Sequence, residues 1–330
     1  MKASIAAALI VLALGPDVLR SVDAIPASVA GRFRDPSGFE RSASGQYFVF
    51  DRRSQIVWGV DARGEAAWEI VHIGFEPGRI INPFAFAVAP DGTFAVGDAP
   101  DNQERIQVFT PAGFRIGGFT LPGKPRARIT LDGVVLNGIG SLQYTGTSIF
   151  LSQPENGSLV SEYSLAGAPI RGFGELRRTG HEEDPAVHVM LNAGVPLVDP
   201  LGGFFFVFQT GEPVFRKYDA SGRLMFERRI QGRELDQFIS RLPSLWPTRA
   251  STSTELPFIT PTIRAAAVDA SGHLWVSFTE PVTYEFDGDG DKIRAVQFRA
   301  AGPVSPNHMS FDDKGRMLVT PGLYVFNVVQ

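Results

Sequence analysis

Phe86-Ala87-Val88-Ala89-Pro90-Asp91-Gly92-Thr93-Phe94-Ala95-Val96-Gly97-Asp98, followed after a polar stretch by Arg105-Ile106-Gln107-Val108-Phe109, is the part of the chain from which its architecture can be read. Two short apolar runs flank Pro90-Asp91-Gly92. Glycine accepts the positive φ that a tight hairpin turn demands, so the two runs predict paired strands over 84–88 and 93–96. A polar loop over 98–105 leads into a third strand at 106–109. Pro111-Ala112-Gly113 then turns the chain into a fourth at 114–119.

The same order recurs on either side. The first turn glycines of successive copies are Gly45, Gly92, Gly146, Gly202, Gly272 and Gly315, roughly 43 to 70 residues apart. Each precedes an apolar run (46–50, 93–96, 148–151, 204–208, 273–277, 316–320) and a second apolar run beyond a polar loop (56–60, 106–109, 159–163, 214–218, 283–286, 324–328). Such spacing fits four-stranded units with variable loops. One unit cannot bury both faces, so the units must stack around an axis. Six turns predict six blades, with seven as the competing count. The last copy ends after its third strand, and residues 29–33 are the expected closing strand. A closed ring leaves few free sheet edges.

The stretch from Phe86 to Asp98, with Arg105 to Phe109 behind it, resembles NHL-repeat propellers. The resemblance covers most of residues 31–330, most strongly in the second and fifth copies. The third, fourth and sixth copies lack the Asp after the second strand and the Arg before the third. The resemblance implies an all-β, six-bladed β-propeller of four-stranded antiparallel blades. It also implies that inter-blade loops and second-to-third-strand loops share one face, where a site belongs. Another propeller family is the alternative.

Composition agrees with an all-β domain. The 330 residues are 44% hydrophobic and 20% charged, with 35 Gly, 24 Pro and 26 Phe. A net charge of −4 argues against nucleic acid as partner. Cysteine is absent, which excludes disulfides, thiolate chemistry and lipoprotein acylation. Lys2, the apolar run at 4–15 and Val22-Asp23-Ala24 together read as an export leader cleaved after Ala24, with cleavage after Ala30 or an uncleaved anchor as alternatives. The expected organisation is therefore a leader over 1–24 and one propeller domain over 25–330, in the periplasm or outside the cell. No membrane insertion is expected after cleavage. Insertions near 174–192 and 233–262 interrupt the repeat, each between an outermost strand and the next innermost one. Residues 234–242 have apolar spacing that predicts a short amphipathic helix.

Counting back about ten residues from each turn glycine reaches the start of each innermost strand. A small polar residue stands there in every copy: Asp35, Asn82, Asn137, Asn192, Thr260 and Ser305. Such a ring at the axial mouth suits a divalent cation, Ca2+ or Zn2+, or ordered water. Equally, these residues are the ones that satisfy local backbone groups before a strand. His308 is the one histidine near that mouth. The candidate metal ligands are Asn82, Asn137, Asn192 and His308. Several NHL-like propeller lyases bind metal with axial histidines, and a lone His308 weakens the parallel.

Other groups have competing structural roles. His181-Glu182-Glu183-Asp184 with His188 offers metal-binding types or a solvated loop. Asp287-Gly288-Asp289-Gly290-Asp291 begins like a calcium loop, but Lys292 and Phe298 break the pattern, so an acidic turn is expected. Arg52, Arg53, Arg79, Arg105 and Arg264 could clamp an anion on the loop-rich face or pair with nearby carboxylates. Trp58, Trp68 and Trp246 are candidates for stacking on sugar rings, and Trp275 is expected in the core. No spacing-specific catalytic set is present. The expected function is a binding or scaffold propeller presenting its loop-rich face to a protein, peptide or glycan. The alternative is a metal-assisted lyase or hydrolase of lactonase-like or lyase-like type, with its site at the axial mouth.

Overall fold

Apolar runs of four or five residues separated by glycine turns pair with their neighbours and form short antiparallel sheets. This is the arrangement in the computed structural model, which describes residues 15–122, 130–131, 134–135, 141–242, 248–250, 255–257 and 259–328. The first unit holds Pro36–Arg41, Tyr47–Asp51, Ile56–Val60 and Ala67–Val71. The second holds Ala85–Val88, Phe94–Asp98, Arg105–Phe109 and Arg115–Thr120. The third is Leu142–Tyr144, Ser148–Ser152, Val160–Ser164 and Pro169–Phe173. The fourth is Gly194–Val198, Phe204–Phe208, Val214–Tyr218 and Leu224–Arg229. The fifth is Ile263–Val268, Leu274–Phe278, Thr283–Phe286 and Lys292–Arg299.

The sixth unit draws its strands from both ends of the described chain. His308–Phe311, Arg316–Thr320 and Tyr324–Asn327 are completed by Asp17–Ala24. Ser21, Asp23 and Ala24 pair antiparallel with Phe326, Val325 and Tyr324. The earlier half, from Asp17 to Arg20, runs parallel to Val296–Arg299 at the outer edge of the fifth unit and joins the two sheets. This corrects the expectation that residues 29–33 close the ring. Ala27–Ala30 is instead a short helix, and Val29 and Phe33 are buried against the first blade. Asp17–Ala24 is the first strand among the described residues, and cleavage after Ala24 would remove this closing strand.

The innermost strands of successive units touch in order, and the innermost strand of the sixth touches that of the first. All six turn glycines have positive φ. Middle strands are buried on both faces, as in Tyr47–Asp51 and Phe204–Phe208, whereas the outer strand Leu224–Arg229 is mostly exposed. The apolar core is divided by the radial geometry into one cluster per seam between units. Phe50 stacks on Phe86 at 5.3 Å across the first seam. Phe150 meets Phe204 at 5.0 Å across the third. Phe215 meets Phe286 at 5.0 Å across the fourth. Trp275, fully buried as expected, faces Phe311 across the fifth.

Two interruptions of the repeat follow an outer strand, after Pro169–Phe173 and after Leu224–Arg229. The first contains a helix, Pro185–Leu191, that its polar composition did not suggest. Asp184 caps it by accepting from the Val187 amide, and Pro185 opens it. The second contains the expected helix, Arg233–Ile239. Leu235 enters the seam between the fourth and fifth units, and Glu234 accepts from the Tyr284 hydroxyl at 2.6 Å. Burial, and then this bond, hold the Tyr284 phenol well above its ordinary pKa.

Shortening the chain to start at Ile25 removes a strand and the buried Leu19 side chain, whose burial is worth about 2 kcal/mol. The truncated chain is expected to melt below one starting at Asp17. Equal melting temperatures would contradict the closing role of Asp17–Ala24. Phe94→Ala, at a fully buried ring touching Phe48, Phe86 and Phe109, is expected to cost about 3–5 kcal/mol by denaturant unfolding.

Candidate functional site

The innermost strands point one set of side chains toward the axis, where they enclose a cavity of about 190 Å3. Most residues that line it are apolar, Val195, Ala266, Ala267 and Met309 among them, while Glu40, Gln143, His308 and Ser310 give the cavity surface a polar character. Among the described residues, its titratable groups are Glu40, His308 and Tyr144. His308 is the first residue of the sixth innermost strand, and Glu40 lies near the end of the first. The two approach to 3.8 Å, Nε2 to Oε1.

Burial in this wall decides their protonation. It pushes the Glu40 carboxyl up to about 8, against a smaller opposing effect from the Val88 amide that donates to Oε2 at 3.0 Å. It pushes the His308 imidazole down to about 4. At neutral pH both are uncharged, so the contact is not an ion pair. The Phe39 amide donates to His308 Nδ1 at 3.4 Å, which places the ring proton on Nε2. One carboxyl and one imidazole, both held neutral by burial, do not fit a tightly bound dication, which takes three to eight charged or oxygen-rich ligands.

Of the expected axial-mouth residues that are described, only His308 lines this cavity. The others are turned to other work by their local backbone. Asp35 accepts from Arg52 Nε and Nη2 at 3.1 and 3.0 Å. Asn82 is exposed and sits at φ 48, a left-handed conformation that Asn tolerates better than most residues. Asn192 is fully buried at the end of helix Pro185–Leu191. It accepts from the Arg177 amide at 2.8 Å and donates to the His188 carbonyl at 3.0 Å. Thr260 is exposed and Ser305 half-buried. Arg264 donates to the Asn307 side chain at 2.7 Å. Arg79 is exposed, 3.9 Å from Glu76. Asn137 and Trp246 lie outside the described residues.

The remaining sequence candidates also resolve into local structure. Arg105 forms a bidentate pair with buried Asp98, at 2.9 and 2.6 Å. Glu182 accepts from the Thr179 and Gly180 amides, and His188 Nδ1 lies 2.8 Å from the Thr179 hydroxyl. Asp287 accepts from the Asp289 and Asp291 amides in an acidic turn. Trp58 is buried, and Trp68 is 41% exposed on an outer strand.

Two groupings had no signal in sequence. Asp269, His273 and Glu285 bring three ligand-type atoms within 4.8 Å of one another. All three are engaged: Asp269 accepts from the Trp275 indole, His273 Nδ1 lies 2.9 Å from Glu285, and Arg294 donates to Glu285 at 2.6 Å. Asp199 and Asp312, at the corresponding turns of the fourth and sixth units, likewise pair with Lys217 and Arg316. The cluster is the fifth unit's version of that turn anchor.

The second grouping is a groove of about 740 Å3 beside the fourth unit. One wall is the first insertion, from Glu175 to His181, and the other includes Ile239 and Leu242 of the second. Its base is the outer half of the fourth blade, with Val214, Arg216, Glu227 and Arg229. Both insertions and the Gly211-Glu212 loop belong to the same loop-rich face. Arg177 anchors the first wall. It donates to the carbonyls of Leu191, Thr210 and Glu212 and stacks on Phe208 at 4.3 Å. Arg216 lies over the same ring at 5.2 Å. Burial, and then the charge of Arg216, lower the Arg177 pKa to about 10.

No family model matches the chain, and no curated protein sequence matches it. Solved structures are similar in fold. A streptogramin B lyase aligns over 89% of this chain and 94% of its own, at 13% identity and a TM-score of 0.50. The virginiamycin B lyase of Staphylococcus aureus aligns over 90% and 85%, at 12% identity and a TM-score of 0.50. The WD40 β-propeller domain of Doa1 aligns over 88% and 78%, at 10% identity and a TM-score of 0.51. At these identities the likeness shows a β-propeller and nothing finer.

The axial pair generates a pH signature. Glu40 is raised from 4.5 to about 8, so its contribution to stability is lost as pH rises across that window. His308 is lowered from 6.5 to about 4, so its contribution is lost as pH falls across that one. The two oppose each other between pH 4.5 and 6.5. Above pH 6.5 only the Glu40 loss remains, with a slope approaching about 1.4 kcal/mol per pH unit. Denaturant unfolding at pH 6.5, 7.25 and 8 is expected to show this decline in the natural chain and a flatter profile in Glu40→Gln. A decline of the same slope in both chains would rule out a neutral buried Glu40.

Proposed function

We propose that the chain is a binding or scaffold propeller of NHL type that presents its loop-rich face to a ligand. One observation carries this reading: the two insertions that break the repeat converge on one open groove. Extra chain length added at two separate points of a repeat, and meeting at one place, is how a propeller builds a binding surface on a conserved frame. The Arg105–Asp98 pair supports the NHL assignment in the second unit. The ligand classes compatible with the face are a protein, a peptide or a glycan. Nucleic acid fits poorly with the net charge of −4.

Export also belongs to this reading. The apolar run at 4–15 supports a leader, and the strand Asp17–Ala24 supports its removal upstream of Asp17 instead of after Ala24. N-terminal sequencing of the protein recovered from outside the cytoplasm is expected to give a start at or before Asp17. A start at Ile25 would mean that the mature ring closes without this strand.

The competing reading is a metal-assisted lyase or hydrolase, with Ca2+ or Zn2+ at the axial mouth. It would have to use Glu40 and His308 against the desolvation that neutralises both. Metal analysis of the purified chain separates the two. Substoichiometric metal and no change in melting temperature with chelator are expected. About one ion per chain, lost together with thermal stability in His308→Ala, would overturn the binding reading in favour of a metal enzyme.

A further inference from the structure

We propose that the groove beside the fourth unit takes an acidic peptide segment, in extended conformation, with apolar residues alternating with carboxylates. This rests on the binding reading above and assigns its ligand.

Charge comes first. The groove is lined by four arginines (Arg177, Arg178, Arg216, Arg229) and three glutamates (Glu175, Glu212, Glu227). Two of the glutamates are already engaged: Glu227 with Arg216 at 2.6 Å, and Glu212 with Arg229 at 3.4 Å. Arg177 donates to carbonyls through Nε, Nη1 and Nη2 and has no carboxylate within ion-pair distance among the described residues, although the charges of Glu227 and Glu212 act on it. It is also pushed against the like charge of Arg216 over the Phe208 ring. Arg178 is exposed and makes no ion pair or hydrogen bond among the described residues. The first wall thus sets Arg177 and Arg178 against Glu175, and Arg178 is the cation there without a carboxylate partner among the described residues. A ligand carboxylate would supply the missing partner, and guanidinium is the side chain best shaped to receive one.

Shape and the remaining surface then select among anions. Val214 pairs with Arg229 and Arg216 with Glu227 across the two outer strands, so the base of the groove is one face of the sheet and an occupant meets it through side chains. Leu176, Val214, Ile239 and Leu242 offer apolar contact between the charges, which suits alternating side chains. Among the described residues, no Phe, Tyr or Trp lines the groove. Three carboxylates in the lining disfavour a polyphosphate backbone.

The test uses the purified full propeller and fluorescence anisotropy with a labelled peptide of alternating Leu and Glu. Matched Leu/Gln and Leu/Lys peptides and an oligogalacturonate serve as comparison probes. The Leu/Glu peptide is expected to bind about tenfold or more tightly than either comparison peptide. Arg178→Glu and Arg229→Glu, both at exposed positions, are each expected to weaken it about tenfold, while Arg63→Glu on the opposite face leaves it unchanged. Unaltered melting temperatures in the variants exclude misfolding as the cause. Peptide binding that ignores both groove variants overturns this assignment and leaves the binding propeller intact, with its ligand elsewhere on the face. Binding of the oligogalacturonate alone, lost in the same variants, replaces the peptide with an acidic glycan. No binding by any probe overturns the proposal, and coupled with about one metal ion per chain it overturns the binding reading as well.

Discussion

Each blade of this protein is a sheet with two apolar faces, and neither face can be covered from within the blade. Everything else in the structure answers that constraint. The faces are covered only by neighbouring blades, so the apolar core is divided into seams, each lined by residues from two units. A ring of such seams is stable only if it closes, because an open ring leaves one blade face in water on each side of the gap. Closure here is made by the sixth unit, where Leu318, Leu323 and Val325 meet Phe39, Val49 and Val60 of the first. The strand Asp17–Ala24 completes that unit and also ties it to the fifth. With no cysteine in the chain, no covalent link assists.

Closing the ring creates the axial cavity as a by-product. Six innermost strands converge, and the side chains that point inward are mostly small or apolar because the space narrows toward the axis. Glu40 and His308 are exceptions, and their neutrality follows from the company they keep rather than from each other. The same logic applies at the outer rim in reverse. There the blades splay apart, outer strands are exposed, and loops are free to lengthen. The two insertions exploit this at the fourth unit. They are secured by Arg177 reaching back to the carbonyls of Leu191, Thr210 and Glu212, and by Glu234 bonded to Tyr284. The groove between them is therefore framed by anchored elements, and its positive charge is a consequence of using a guanidinium as the anchor.

Strand positions and turn glycines were legible in the sequence because they depend on local rules. Apolar runs of strand length and glycine at positive φ are both properties of neighbouring residues. The acidic turn at Asp287 and the pairing of Arg105 with Asp98 were legible for the same reason: each is settled within one blade. The axial ring was read less well. Asp35, Asn82 and Asn192 do stand at the entrances to innermost strands, but periodicity says where a residue falls along a strand and nothing about which partner its side chain finds. Arg52, a left-handed turn and a helix end claimed them.

The chain's sequence, taken alone, determined the succession of repeated strand–turn–strand units and the absence of any thiol chemistry, because these are fixed by composition and by short-range periodicity. Only the tertiary structure decided which segment closes the ring, which titratable groups share the axis, and that two insertions about sixty residues apart form one groove. Those are contacts between residues distant along the chain. A closing strand leaves no local pattern, since Asp17–Ala24 has its partners in 296–299 and 324–326. The protonation of Glu40 is set by its burial among the inner strands, and the charge of the groove by which side chains of two insertions and one blade come together there. Neither quantity exists until the chain has folded around its axis.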